Sequence, residues 1–229
     1  MSRKRKLQKF ADLVHMTNVY ELIEVGNPLL ALTPFKKKEM KGKWNEIHFQ
    51  NNHPLIVELA CGRGEYVLGL ADLYPKKNFV GVDIKGARIW KGARLASERG
   101  LDQVAFLRIR IEQIDLYFDI EEVDEIWITF PDPFPAKENR RLTSPRFLQV
   151  YKELLKPGGI IHLKTDDDDL FTYSLDTIRK SEHFREEIVI RDVHNQEDVS
   201  PPLQIPTYYE RLHLENKKTI KYFAFHKID

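Results

Sequence analysis

One cysteine, Cys61, occurs in 229 residues. An intrachain disulfide framework is therefore excluded, and a reducing compartment is expected. No Cys pair and no His-Glu-x-x-His spacing exists among the 8 histidines, so the familiar zinc patterns are missing and no metal is expected. Long apolar runs are missing too. Runs such as 55–61, broken by Glu58, and 28–32 are far short of a membrane span. The opening MSRKRKLQKFADLVHM has no apolar block of the secretion-signal kind, and a cytoplasmic protein without membrane association is expected. Repeats and low-complexity tracts are absent. Nor does one sign of charge dominate, since 36 Lys/Arg stand against 35 Asp/Glu. What is present is 42% hydrophobic and 31% charged, too apolar for a disordered chain and enough for a sizeable core. The length suits one large domain with a short extension.

The balanced charge is unevenly placed. Residues 1–43 hold ten Lys/Arg and four Asp/Glu, whereas residues 44–229 hold 26 and 31. The basic positions fall in two clusters, Arg3, Lys4, Arg5, Lys6, Lys9 and then Lys36, Lys37, Lys38, Lys41, Lys43, with Phe10, Tyr20, Phe35 and Trp44 nearby. A basic arm on a mildly acidic body fits a polyanion partner, although a solvated terminus has the same composition. We divide the chain into a basic N-terminal extension, 1–50, and a main domain, 51–229.

From residue 55 apolar runs alternate with helical patterns. Strands are expected at 55–61, 78–84, 104–109, 125–130, 160–164, 187–193 and 219–226. Helices are expected at 65–73, 86–99, 111–118, 144–155 and 170–180. This alternation predicts an α/β fold, a doubly wound, mostly parallel seven-stranded sheet. The last two strands, joined by a polar loop with prolines, predict an antiparallel edge hairpin.

Ligands of such sheets bind outside the carboxyl ends of the strands. The first strand runs into VELACGRGEY, which gives Glu58-x-Ala60-x-Gly62-x-Gly64. Small residues there allow a sharp turn and close approach of a ligand to the backbone. The dinucleotide fingerprint fails, because its third glycine would fall at Val67. The second strand ends in Asp83, placed to accept from both hydroxyls of a ribose; a helix-capping Asp has the same position. The turn resembles motif I of the class I S-adenosylmethionine-dependent methyltransferases, with Ala60 for their usual first glycine. That resemblance implies S-adenosyl-L-methionine as cofactor, Gly62, Gly64 and Asp83 as its contacts, and Glu58 as a brace of the turn. Cys61 reads as a small residue beneath the cofactor rather than a nucleophile.

The fourth strand enters FPDPFPAKENRRLTSPRFL. Phe130, Pro131, Asp132, Pro133 and the later Arg140, Arg141, Leu142 resemble the bacterial tRNA (guanine-N7-)-methyltransferase family, which carries Phe-Pro-Asp-Pro-Trp and then a basic stretch ending Arg-Arg-Leu. Phe134 replaces the family's Trp. HLKTD, ending in Asp166, and PTYYER, with Thr207 and Glu210, resemble its two later signatures, and the resemblance runs from about Leu55 to the C-terminus. Two departures stand out. The basic loop is short and contains Glu138, and Arg110 occupies the place where many members have an Asp beside the adenine; Glu112 is the expected substitute.

The implied reaction moves a methyl group to N7 of guanine at position 46, in the tRNA variable loop. Guanine N7 has a free lone pair, so the task is alignment rather than deprotonation. Carboxylates suit the ring N–H and the amino group, and they stabilise the positive charge formed on the methylated ring. Asp132 is the leading candidate, with Asp166 and Glu210 expected at the same rim. Thr207 would hydrogen-bond the base or the cofactor. Lys137, Arg140 and Arg141 would follow phosphates. Asp166 reads equally as a helix N-cap, and His162 as a satisfied core histidine. Two other readings stay open on residues alone: a class I methyltransferase of a protein or small molecule, and a non-catalytic RNA-binding protein on the same fold. The sequence leaves the oligomeric state open.

Overall fold

The computed structural model describes residues 3–33 and 36–228. Phe35, one of the aromatics beside the basic clusters, lies outside them. The chain forms two compact units, Met1–Asp119 and Ile120–Asp229.

The first unit opens with helix α1 (Arg3–Leu13) and three short strands, β1 (Val19–Leu22), β2 (Leu29–Thr33) and β3 (Lys36–Glu39). A π-helical turn, Trp44–Phe49, precedes β4 (Leu55–Leu59), α2 (Glu65–Leu73), β5 (Asn78–Asp83), α3 (Gly86–Glu98) and β6 (Val104–Arg108). The strand order is β3-β2-β1-β6-β5-β4. Strands β4, β5, β6 and β1 pair in parallel, and β2 and β3 continue antiparallel. Strand β4 is buried along its whole length, which is why it reads as an apolar run, interrupted at Glu58, rather than an alternation. Trp44 pins the π-helical turn: its ring is buried, stacks on Phe118, and donates from Nε1 to Tyr117 O at 2.8 Å. Beside it, buried Asn78 donates to both Asn45 Oδ1 and Asn51 Oδ1 at 2.7 Å. This ties the turn to the start of β5 and satisfies an amide that burial would otherwise penalise.

The second unit contains β7 (Val123–Thr129), α4 (Pro145–Leu154), β8 (Leu155–Thr165), α5 (Asp168–Arg179), β9 (Phe184–Ile190), α6 (Tyr208–Glu215) and β10 (Lys221–Lys227). Its strand order is β7-β8-β10-β9. Strand β8 pairs parallel with β7 and antiparallel with β10, and β10 continues antiparallel to β9. The α/β class and the antiparallel edge strands thus match the sequence reading.

The strand count does not. Ten strands are present among the described residues, where seven were expected. The additional three lie in residues 19–39 and are only four or five residues long. β3 reads Lys-Lys-Lys-Glu and has no apolar alternation to mark it; lysines suit its place at the sheet edge, where they discourage pairing with another chain. A second difference concerns Pro157-Gly158-Gly159, expected to separate helix from strand. These residues lie inside β8 as a bulge, with Leu155 opposite Val123 and Ile160 opposite Glu125. Gly158 has φ +72, a conformation a bulge can use and L-residues resist. Residues 111–116 form a 3₁₀ helix, not an α-helix. No helix among the described residues is long and apolar enough to cross a membrane.

Candidate active site

In the first unit the chain reverses between β4 and α2 through three left-handed residues, Ala60 (φ 58), Gly62 (φ 57) and Gly64 (φ 70). The two glycines differ. A methyl group at Gly64 would lie 2.7 Å from the ring of Phe106. At Gly62 the nearest atom would be Ala60 O at 3.9 Å. Gly64 is small because the core is tight beneath it, whereas a methyl group at Gly62 would make only ordinary contact with the backbone. Phe106, itself fully buried, also fills the space at Gly81 and Gly92.

Two carboxylates hold this turn. Glu58, 1% exposed, accepts from Val67 N at 3.0 Å. It supplies from strand β4 the cap that Gly64, at the N-cap position of α2, has no side chain to provide. Asp83 accepts from Gly62 N at 3.0 Å through one oxygen and from Lys85 N at 2.7 Å through the other. Each oxygen retains a second lone pair for a hydroxyl donor. Burial pushes the Cys61 thiol up, and the Glu58 and Asp83 carboxylates push it further, so it is not a thiolate. Glu112 is exposed in the first turn of the 3₁₀ helix.

In the second unit β7 ends at Thr129 and the Pro-Asp-Pro segment follows. Phe130 (φ 48) and Phe134 (φ 43) bracket it, both left-handed and neither glycine. Bulky residues take this conformation only where the surroundings enforce it. Asp132 between them is exposed. Phe130 N donates to Lys164 O at 2.8 Å. Arg141 holds the other side, donating from Nε to Pro133 O at 2.9 Å and lying over the Tyr173 ring. This corrects one expectation: Arg141 is 4% exposed and braces the loop, so it is not free to follow phosphates. Lys137 and Arg140 are exposed, and Arg140 stacks over Phe134.

Asp166 is mostly buried, with Oδ2 at 2.5 Å from Lys218 Nζ and 3.3 Å from His213 Nδ1. That hydrogen bond raises the Lys218 ammonium's affinity for its proton. Asp166 is not the N-cap of α5. Asp167 is, accepting from Leu170 N at 2.7 Å. The His213 ring stacks on Phe130 and on Tyr209, which joins Asp166 to the Asp132 loop through two rings. Thr207 caps α6 by accepting from Glu210 N at 3.1 Å. Glu210, expected at the rim, is instead 2% exposed and paired with Lys164 at 2.7 Å. His162 is a core residue, as expected, hydrogen-bonded to Tyr222 at 2.8 Å and stacked on Trp127. The sequence reading missed Lys164, His213 and α6. The Thr207-x-x-Glu210 spacing, a helix-start signal, could have revealed the helix. No group of three or more potential metal ligands occurs among the described residues.

Three comparisons bear on this arrangement. A family model described as "Putative methyltransferase" matches residues 52–223. The chain is 45% identical over 224 residues to a tRNA (guanine-N(7)-)-methyltransferase of Bacteroides thetaiotaomicron, covering 97% of this chain and 85% of that one. It is 43% identical to the protein of the same name from Christiangramia forsetii, covering 98% and 99%. Among solved structures, the 16S rRNA methyltransferase KamB superposes with a TM-score of 0.65 at 11% identity, over 85% of this chain and 97% of that one, a likeness of fold.

Proposed function

The chain belongs to the tRNA (guanine-N(7)-)-methyltransferase family, and from that premise we propose that it methylates N7 of guanine at position 46, in the tRNA variable loop. The observation that carries the reading is the left-handed turn at Gly62 with the Asp83 carboxylate bonded to it, in a chain 45% and 43% identical to two proteins of that name over 85% and 99% of their length.

The turn fits S-adenosyl-L-methionine. Gly62 leaves room for close approach, and Asp83 would accept from the ribose hydroxyls. Glu58 and Gly64 keep the turn in shape from below. Glu112 would face the adenine. When bound, the cofactor supplies an electrophilic methyl group on sulfonium sulfur.

The remaining work falls to residues that hold the base. N7 of guanine carries no proton, so no general base is required, and the rate depends on placing N7 about 3–3.5 Å from the methyl carbon, in line with sulfur. Asp132 would accept from the ring N–H and the amino group. Its negative charge would then oppose the positive charge that grows on the purine. Prolines on both sides, and the left-handed Phe130 and Phe134, limit the backbone freedom of Asp132. Asp166 would add a second carboxylate, held by His213 and Lys218. Thr207 keeps its hydroxyl proton for a base or cofactor acceptor while its oxygen caps α6. Glu210 supports the site from behind, through Lys164. Lys137 and Arg140 would meet phosphates. An unstacked loop base is the kind of RNA target whose edges are readable.

The test is incubation with labelled S-adenosylmethionine and bulk unmodified tRNA, followed by nucleoside analysis. Label in 7-methylguanosine is expected. Label in any other nucleoside, or in none, would remove the assignment.

A further inference from the structure

Lys164 lies near the end of β8 and is 0% exposed. Its ammonium donates to Glu210 Oε2 at 2.9 Å and to Leu203 O at 2.8 Å, and approaches Glu210 Oε1 to 2.7 Å. Its carbonyl accepts from Phe130 N, and the Phe130 ring lies 6.0 Å from its nitrogen. One buried residue thus grips three separate segments: the loop that presents Asp132, the 3₁₀ turn Pro201–Gln204, and helix α6. A cation this deep is unusual in a core. A well-packed apolar side chain would stabilise the fold as well or better.

We infer that Lys164 is a positioning residue, whose buried ion pair with Glu210 fixes α6 and the Asp132 loop on a common frame. The inference rests on the methyltransferase reading for its purpose, though not for its geometry. Two further observations support it. Burial lowers the proton affinity of Lys164, and the Glu210 carboxylate beside it opposes that effect. Helix α6 has only eight residues, and its described burial is concentrated at Glu210. A helix that short is marginal without tertiary anchors. Its exposed residues include Tyr208 and Tyr209, so the ion pair anchors it where an apolar stripe would otherwise be needed.

The prediction concerns Lys164→Met, which keeps the length and removes the charge. Among the described residues, the basic group then left beside Glu210 is His194, whose Nε2 lies 3.1 Å from Oε1 and whose side chain is 41% exposed. A buried carboxylate without its cation must take up a proton or leave the core. Amide exchange at residues 207–215 should accelerate by roughly tenfold or more while α2 and α3 are unchanged. Methylation by the variant should also fall as pH rises from 6 to 8.5, relative to the wild type. The double variant Lys164→Met/Glu210→Gln removes both charges together. It should recover the protection of α6 and lose the added pH dependence.

Unchanged exchange in α6 of Lys164→Met, or acceleration spread evenly over the chain, would overturn the inference. If Lys164→Met does not fold, Glu210→Gln alone strands the ammonium and should loosen α6 in the same way; an α6 as protected as in the wild type would be the contrary result. The exchange measurement is independent of substrate. A wild-type protein that methylates no tRNA would therefore defeat the functional reading while leaving this one decidable.

Discussion

Asp132 is the side chain on which the proposed chemistry depends, and its setting explains why a carboxylate alone is enough. The acceptor nitrogen has no proton, so the group is needed for charge and aim. Asp132→Asn keeps the shape, exchanges one acceptor for a donor and removes the charge. Single-turnover methylation should fall by a factor of roughly 10²–10³, with cofactor affinity unchanged because Asp83 and Gly62 are untouched. The wild-type rate should lack a tenfold rise per pH unit between pH 6 and 9. Such a slope, lost in the Asn variant, would identify a general base and contradict the mechanism. At this scale the sequence was legible where a residue acts through its own type. The small residues at 60, 62 and 64, the acidic end of β5 and the buried His162 could all be read. It was not legible where the role depends on burial. Arg141 reads as one more loop cation until its guanidinium is seen under Pro133. Asp166 and Asp167 are adjacent acids, and only the backbone decides that Asp167 caps α5.

The turn between β4 and α2 works as an element because its two glycines answer different constraints. Gly64→Ala would force a methyl group against the buried Phe106 ring and hold it at positive φ. The expected loss is roughly 1–3 kcal/mol from overpacking, plus about 1–2 kcal/mol for a left-handed alanine. Gly62→Ala has room and should lose only the second amount in urea unfolding, yet it should weaken cofactor binding because the methyl group occupies the approach. Equal destabilisation of the two variants, or unimpaired cofactor binding by Gly62→Ala, would contradict this division. Helix α2 was readable to the residue, since its apolar spacing coincides with the packing that forms it. Strand β8 was not, because Pro-Gly-Gly ordinarily stops an element and here makes a bulge within one. Helix α6 escaped because polar contacts of Glu210 and His213 anchor it, and it shows little apolar periodicity.

Over the whole molecule, the excess of positive charge lies in residues 1–43, with ten Lys/Arg against four Asp/Glu. The basic residues do not form a loose arm throughout. Helix α1 docks on α3, where Trp90 donates from Nε1 to Asp12 at 2.9 Å and Lys9 lies over its ring. Replacing Arg3, Lys4, Arg5 and Lys6 by Gln therefore removes charge without removing Lys9, Phe10 or Asp12. The magnitude of the salt dependence of tRNA binding should fall by roughly 0.7–0.9 for each phosphate that the variant no longer neutralises, with single-turnover methylation at saturating tRNA unchanged. An unaltered slope would assign these residues to solvent alone. The most direct test of the proposed activity is site-resolved methylation of two tRNA transcripts that differ only at position 46, one with guanine and one with adenine. A single 7-methylguanosine is expected in the first transcript, at position 46, and none in the second. Equal methylation of both, or 7-methylguanosine elsewhere in the first, would contradict it.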